Sequence, residues 1–210
     1  MLSTLEISCE RGRQLLWSDV NLTVDLGQLL FVSGANGSGK SSLLRILAGL
    51  SSANSGDVLW CGEKINVETQ MYRSQLLYIG HQPPLKPELN AVENLTFLTQ
   101  LHGQSVSQDQ MISALQSWEL QGKTIYLPSK HLSQGQKQRV ALTQLSLLEK
   151  VLWILDEPFN SLDSNGSNIL SKQLEFHLAQ NYIAVITSHL HETAAHIAPS
   201  LQQREIRIEF

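Results

Sequence analysis

No stretch of this 210-residue chain approaches the roughly 18 consecutive apolar residues that a bilayer crossing takes, and Met1 to Glu10 has no cationic flank leading into an apolar run. Neither a membrane span nor a secretory leader is expected. Cysteine is scarce as well. Cys9 and Cys61 stand far apart and form no CxxC pair, which argues against both a zinc site and a disulfide framework. Two free, buried thiols in a reducing compartment are the expectation. Nor does either charge dominate: 15 basic against 19 acidic side chains leave a formal net charge of -4. That balance is wrong for a nucleic-acid-coating surface, and 42% hydrophobic residues are too many for a disordered chain. No internal repeat or low-complexity tract is visible. The chain is expected to be one soluble, cytoplasmic domain that meets a membrane only through a partner and binds no nucleic acid.

What is present is a series of short apolar runs separated by helical stretches, the pattern of an α/β protein built round a largely parallel sheet. Leu29 to Ser33, Val151 to Leu155 and Ile183 to Thr187 read as buried strands, and Ser41 to Leu50 as a helix closed by Gly49. Two segments differ. Leu5 to Ser8 with Val20 to Val24, and Glu205 to Glu209, alternate with period two, which predicts an antiparallel sheet at the edge. Between Pro83 and Lys150 strand signals give way to helix signals. Asn90-Ala91-Val92-Glu93 has the form of a capping box, and Gln110 to Leu120 keeps helical spacing through Met111, Ile112, Leu115 and Trp118. The expected organisation is a single domain over 1–210, with a core at 1–83 and 151–210 and an inserted α-helical subdomain at 84–150.

Gly34-Ala35-Asn36-Gly37-Ser38-Gly39-Lys40-Ser41 fits G-x-x-x-x-G-K-[ST] and lies directly after a strand and before a helix, where a phosphate-binding loop must sit. Its glycines let backbone amides converge on phosphate oxygens, and the helix N-terminus adds partial positive charge. Lys40 is placed to reach β- and γ-phosphates and the Ser41 hydroxyl to ligate Mg2+, with Ser42 beside it in the first turn. Asp156 and Glu157 follow the buried run Val151 to Leu155, so a strand end delivers two acids to the carboxyl edge of the sheet, where such sheets bind ligands. Asp156 suits the Mg2+ shell of a P-loop NTPase. Glu157 suits the task of orienting or deprotonating an attacking water.

These residues alone leave kinases, GTPases and helicases open. Leu132-Ser133-Gln134-Gly135-Gln136, upstream of the acid pair, resembles the signature sequence of ABC ATPases. Ser133 can cap a helix running through Lys137 to Leu148, and Gly135 leaves room for backbone to approach a phosphate. Gln134 departs from the Gly usual at that place in the family. Gln82 in Tyr78 to Pro83 resembles the Q-loop glutamine that senses Mg2+ and water. Ser161-Leu162-Asp163 resembles the D-loop, and His189 the switch histidine. The resemblance implies ATP hydrolysis in a head-to-tail, ATP-dependent homodimer, with Ser133, Gly135, Gln136 and Asp163 working across the interface. The family's adenine-stacking aromatic is missing. By position Arg11 stands there, and a guanidinium can stack on a purine. Trp17 is the nearest aromatic and reads as core.

Several stretches also resemble one subfamily, the ATPase of the haem exporter of bacterial cytochrome c maturation: Cys9-Glu10-Arg11, Gly56 to Trp60, Ile79 to Pro83, Ala91 to Leu95 and Leu152 to Phe159. This implies a peripheral subunit on the cytoplasmic face of the inner membrane, bound to integral membrane subunits of that complex and powering haem delivery to a periplasmic chaperone. Two alternatives stay open. One is the ATPase of an unrelated ABC importer or exporter. The other is a soluble, non-transport ABC ATPase, which would normally carry heptads, zinc hooks or basic tracts.

Overall fold

A computed structural model describes residues 1–65 and 70–188 and, as backbone, 205–209. The strands are β1 (Leu2–Arg11), β2 (Gln14–Val24), β3 (Leu29–Ser33), β4 (Ser55–Trp60), β5 (Glu63–Lys64), β6 (Leu76–Ile79), β7 (Leu152–Leu155), β8 (Ile183–Thr187) and β9 (Glu205–Glu209). Between them lie α1 (Lys40–Leu47), α2 (Gln70–Gln75), α3 (Ala91–Leu101), α4 (Gln108–Ser117), α5 (Gln134–Leu142), α6 (Gln144–Leu147) and α7 (Ser164–Ala179). Two 3-10 turns, Gly122–Tyr126 and Ser129–His131, link α4 to α5.

The strands form a four-stranded sheet in the order β2-β1-β4-β5 and a five-stranded sheet in the order β6-β7-β8-β3-β9. β1 pairs antiparallel with β2 and β4, as expected for Leu5 to Ser8 with Val20 to Val24. In the second sheet β7 with β8, β8 with β3 and β3 with β9 are all parallel. β3, β7 and β8 are the three apolar runs, and every residue of β7 and β8 is buried, as strands covered on both faces must be. Glu205–Glu209 departs from its expected place. It pairs parallel with β3 rather than joining the antiparallel sheet, because alternation marks a strand with one open face and carries no information about direction.

The chain divides into two compact units, one of Met1–Tyr78, Lys150–Glu157 and Leu174–Phe210, the other of Ile79–Glu149 and Pro158–Gln173. Against the expected boundaries, the division falls a few residues earlier, and Pro158–Gln173 joins the second unit. The first unit is held by a core running from Leu2 and Ile7 through Leu43, Leu44 and Leu47 to Leu152, Ile154 and Val185. α1 ends cleanly. Leu50 N–H donates to Arg45 O at 2.8 Å and Gly49 N–H to Ile46 O at 3.0 Å, the paired closure that satisfies the last carbonyls of a helix. Cys9 is buried there, but Cys61 is exposed in the turn after β4, against expectation. β4 ends at Trp60, so Cys61 lies just outside the sheet.

In the second unit α3 opens on the capping box read from the sequence: Asn90 Oδ1 accepts from Glu93 N–H at 3.0 Å, and Glu93 Oε2 accepts from Asn90 N–H at 2.8 Å. Its core gathers Ala91, Leu95, Met111, Leu115, Ile125 and Val140. The helix expected through Leu148 is broken into α5 and α6 at Thr143, whose hydroxyl donates back to Arg139 O at 2.8 Å. No described helix is long and apolar enough to cross a membrane.

Candidate functional site

The loop between β3 and α1 carries the phosphate-cradle motif. Gly39, the N-cap of α1, has a φ of 101°, and a Cβ there would lie 2.5 Å from Trp17 Nε1. Glycine is thus required both by the backbone and by the indole packed on it. Trp17 is buried in the core, as its position predicts. Lys40, only 4% exposed, donates through Nζ to Gly34 O at 2.8 Å and Ala35 O at 2.9 Å, so its ammonium is aimed back into its own loop. Burial pushes the Lys40 pKa down, and the charges of Glu157 and Asp156 oppose that. Ser41 is exposed and Ser42 buried in the first turn, while Ala35, Asn36 and Gly37 face outward at the tip. Ser38 Oγ is buried without a hydrogen-bond partner, an orphan that a phosphate oxygen would satisfy.

Asp156 and Glu157 leave the carboxyl end of β7, one strand beyond β8 from β3, so parallel pairing sends loop and acids to the same edge of the sheet. Both are buried. Glu157 sits at a φ of 53°, a left-handed conformation that costs a side-chain-bearing residue on the order of 1 kcal/mol or more. Thr187, at the end of β8, joins the two acids. Its hydroxyl donates to Asp156 Oδ1 at 2.7 Å and accepts from Glu157 N–H at 2.8 Å. Sequence reasoning missed Thr187, because its signal is the strand register rather than a motif. The oxygen donors here, the Ser41 hydroxyl and the Asp156 carboxylate, are the hard ligands magnesium prefers. Arg11 is exposed at the end of β1 and shares a cavity of about 360 Å³ with Glu10, Ser42, Arg45 and Asn54.

The other motif residues belong to the second unit. Gln82 is exposed in the segment after β6. Ser133 caps α5 through a capping box: its Oγ accepts from Gln136 N–H at 3.2 Å, and its own N–H donates to Gln136 Oε1 at 2.9 Å. Gln136 therefore has a local structural task, and Gln134 is merely the first helical residue. A Cβ on Gly135 would lie 2.6 Å from Ser161 O, so the missing side chain makes room for that carbonyl. Arg139, missed in the sequence, ties the same parts together. Its guanidinium donates to Trp118 O at 3.0 Å, Glu119 Oε2 at 2.8 Å and Asp163 Oδ1 at 2.5 Å. Gly166 N–H and then Arg139 hold the Asp163 carboxyl below its usual range. Structure thus brings Lys40, Asp156 and Glu157 together in one unit and Ser133, Gly135, Gln136 and Asp163 together in the other. His189 lies outside the described residues.

A family model described as "ABC transporter" matches residues 17–160. Among curated relatives, the "Cytochrome c biogenesis ATP-binding export protein CcmA" of Methylococcus capsulatus is 46% identical over 183 residues, covering 87% of this chain and 88% of that protein. The protein of the same name from Pasteurella multocida is 39% identical over 188 residues, covering 90% of this chain and 88% of its own length. Among solved structures, an ATP-binding subunit of an ABC transporter aligns with a TM-score of 0.82 at 28% identity, covering 93% of this chain and 82% of that one. A dimeric ATP-binding cassette in a post-hydrolysis state, bound to ADP and Pi, aligns with a TM-score of 0.80 at 23% identity over 100% of this chain and 96% of that one, a likeness of fold.

Proposed function

The chain belongs to the ABC transporter family, and on that premise we propose that it is the ATP-hydrolysing subunit of the exporter complex of cytochrome c biogenesis. The observation that carries the ATPase part is the buried Lys40 facing Asp156 and Glu157 across the carboxyl edge of one parallel sheet. The export part rests on similarity to proteins named for cytochrome c biogenesis. In this reading the complex is the haem exporter, its membrane subunits hold this chain at the cytoplasmic face of the inner membrane, and hydrolysis powers haem delivery to a periplasmic chaperone.

Backbone amides of Gly34 to Ser41 cradle the phosphates of ATP, and Lys40 meets the β- and γ-phosphoryl oxygens with a fixed charge. Ser41 and Asp156 would hold a magnesium ion, which when bound neutralises phosphate charge. Glu157 accepts a proton from the attacking water, and the family resemblance gives His189 the role of switch histidine. Ser133, Gly135 and Gln136 of a second copy close over the nucleotide in a head-to-tail dimer, with Asp163 at the same interface.

Arg11 stacks on adenine above Ser42 in the cavity they share. An exposed stacking contact of this kind is worth roughly 1 kcal/mol. Arg11→Ala is therefore expected to weaken ATP binding about fivefold by calorimetry. A loss beyond a hundredfold, or none alongside a large loss in Trp17→Ala, would give the role to another residue.

The 85–95 segment after Gln82 is the proposed seat of the membrane subunits, where motion of that loop can be passed to a partner. Leu95 is buried and Leu85 packs on the same core, so both fill the second unit. The outward positions are Lys86, Pro87, Glu88 and Glu93. Pro87→Glu is expected to leave the ATPase rate of the isolated chain within about twofold, as surface changes usually do, while membrane subunits no longer co-purify with it. Normal co-purification for charge changes at each of these four positions would move the coupling surface elsewhere. The export reading itself is tested by affinity purification of the tagged chain from detergent-solubilised membranes. Membrane subunits of cytochrome c maturation should accompany it, and membrane subunits of another transporter in their place would refute the reading.

A further inference from the structure

We propose that Thr187 is a positioning residue of the hydrolysis site, holding the Asp156 carboxylate and the Glu157 backbone in one geometry through a single hydroxyl. The proposal rests on the roles given above to Asp156 and Glu157. Leu155 pairs with Ile186 as the last partners of β7 and β8, so Asp156, just past the end of β7, and Thr187, the last residue of β8, emerge side by side. A hydroxyl owns one hydrogen. Since the Glu157 N–H can only donate, Oγ1 accepts from it at 2.8 Å and must send its own hydrogen to Asp156 Oδ1 at 2.7 Å. The directions of both bonds are thereby fixed.

Thr187 is 0% exposed, so water does not compete for either bond. One carboxylate oxygen of Asp156 is pinned, which sets the plane in which the group presents its remaining lone pairs. The other bond acts on the neighbour. Glu157 occupies a left-handed conformation that persists only where surroundings enforce it, and the Thr187 oxygen on its N–H is one such restraint. Rotation of that peptide would swing the Glu157 side chain away from the phosphates and drag Asp156 with it. Volume does not account for the residue, because valine would fill almost the same space and suits a strand equally well. The hydroxyl is what distinguishes threonine here, and both of its hydrogen-bonding directions are spent on the acid pair.

Thr187→Val removes the hydroxyl at nearly constant shape, and Thr187→Ser retains it without the methyl group. In the purified chain, Thr187→Val is expected to lose about tenfold or more in kcat and about tenfold in Mn2+ affinity of the ATP complex, read by electron paramagnetic resonance, the usual scale for partners of a metal ligand. Affinity for ATP in EDTA should stay within about twofold, since the cradle and Lys40 are untouched. Thr187→Ser should stay within about threefold of the parent in kcat and Mn2+ affinity. Melting temperatures separate loss of fold from loss of function, and Thr187→Ala replaces the valine variant should that not fold. Unchanged turnover and Mn2+ affinity in the hydroxyl-free variant would overturn the proposal, as would equal losses in the serine variant. Asp156→Asn and Glu157→Gln run in parallel. If they too leave turnover intact, it is the assignment of the site that fails; if they abolish it while Thr187→Val does not, only the role of Thr187 fails.

Discussion

Lys40→Ala is expected to lose productive ATP binding, with turnover down by a hundredfold or more at saturating nucleotide. The magnitude follows from what is removed: a preorganised charge in a water-poor site, where a single donor to the transition state carries about that factor. Lys40 is buried; burial lowers its pKa, and the charges of Glu157 and Asp156 oppose that shift. The same truncation deletes the two bonds that tie Nζ to Gly34 O and Ala35 O. The loop should therefore loosen as well as lose charge, and Lys40→Met, of similar length, separates the effects by restoring the packing alone. Calorimetry with a non-hydrolysable ATP analogue and phosphate-release assays read both. Parent-like affinity and turnover in Lys40→Ala would remove this residue from the site.

Glu157→Gln is expected to behave in the opposite way toward binding. An amide keeps the shape and the left-handed backbone of Glu157 but cannot accept the proton of the attacking water, so hydrolysis should fall by about 10² to 10⁴ while ATP still binds. With ATP held and not consumed, two copies should stay closed over it. Size-exclusion chromatography with magnesium-ATP should show a dimer that disappears when the nucleotide is omitted. A monomer under both conditions, with parent-like turnover, would deny Glu157 the role of base.

The readable part of this site is the part encoded locally. Gly34 to Ser41 and Asp156-Glu157 are contiguous words, each flanked by the apolar run of its own strand, so both their chemistry and their place at a sheet edge follow from neighbours in sequence. Ser133 was legible as a helix cap for the same reason, since a cap acts within a single turn, whereas the return bond from Gln136 that closes the box was not read. What depended on pairing between distant segments was not. Thr187 meets Asp156 across 31 positions because β7 and β8 adopt one register, and nothing in Ile183 to Thr187 announces that register. Gly135 is also approached by a remote carbonyl, that of Ser161, which no neighbour in sequence announces. Arg139 carries no local motif, and its role comes from Glu119 and Asp163, remote in sequence, converging on it. Cys61 failed for a simpler reason: it lies one residue past the end of β4, in an exposed turn.

Hydrolysis at Glu157 and service to cytochrome c biogenesis meet in one complementation experiment. A strain lacking this gene is given either the parent chain or Glu157→Gln, and membrane-bound and periplasmic holocytochrome c are quantified by haem stain and difference spectrum. The account predicts loss of c-type cytochromes in the deletion, recovery with the parent, and no recovery with Glu157→Gln at equal expression. Normal holocytochrome c in the deletion strain, or full recovery with Glu157→Gln, would contradict it.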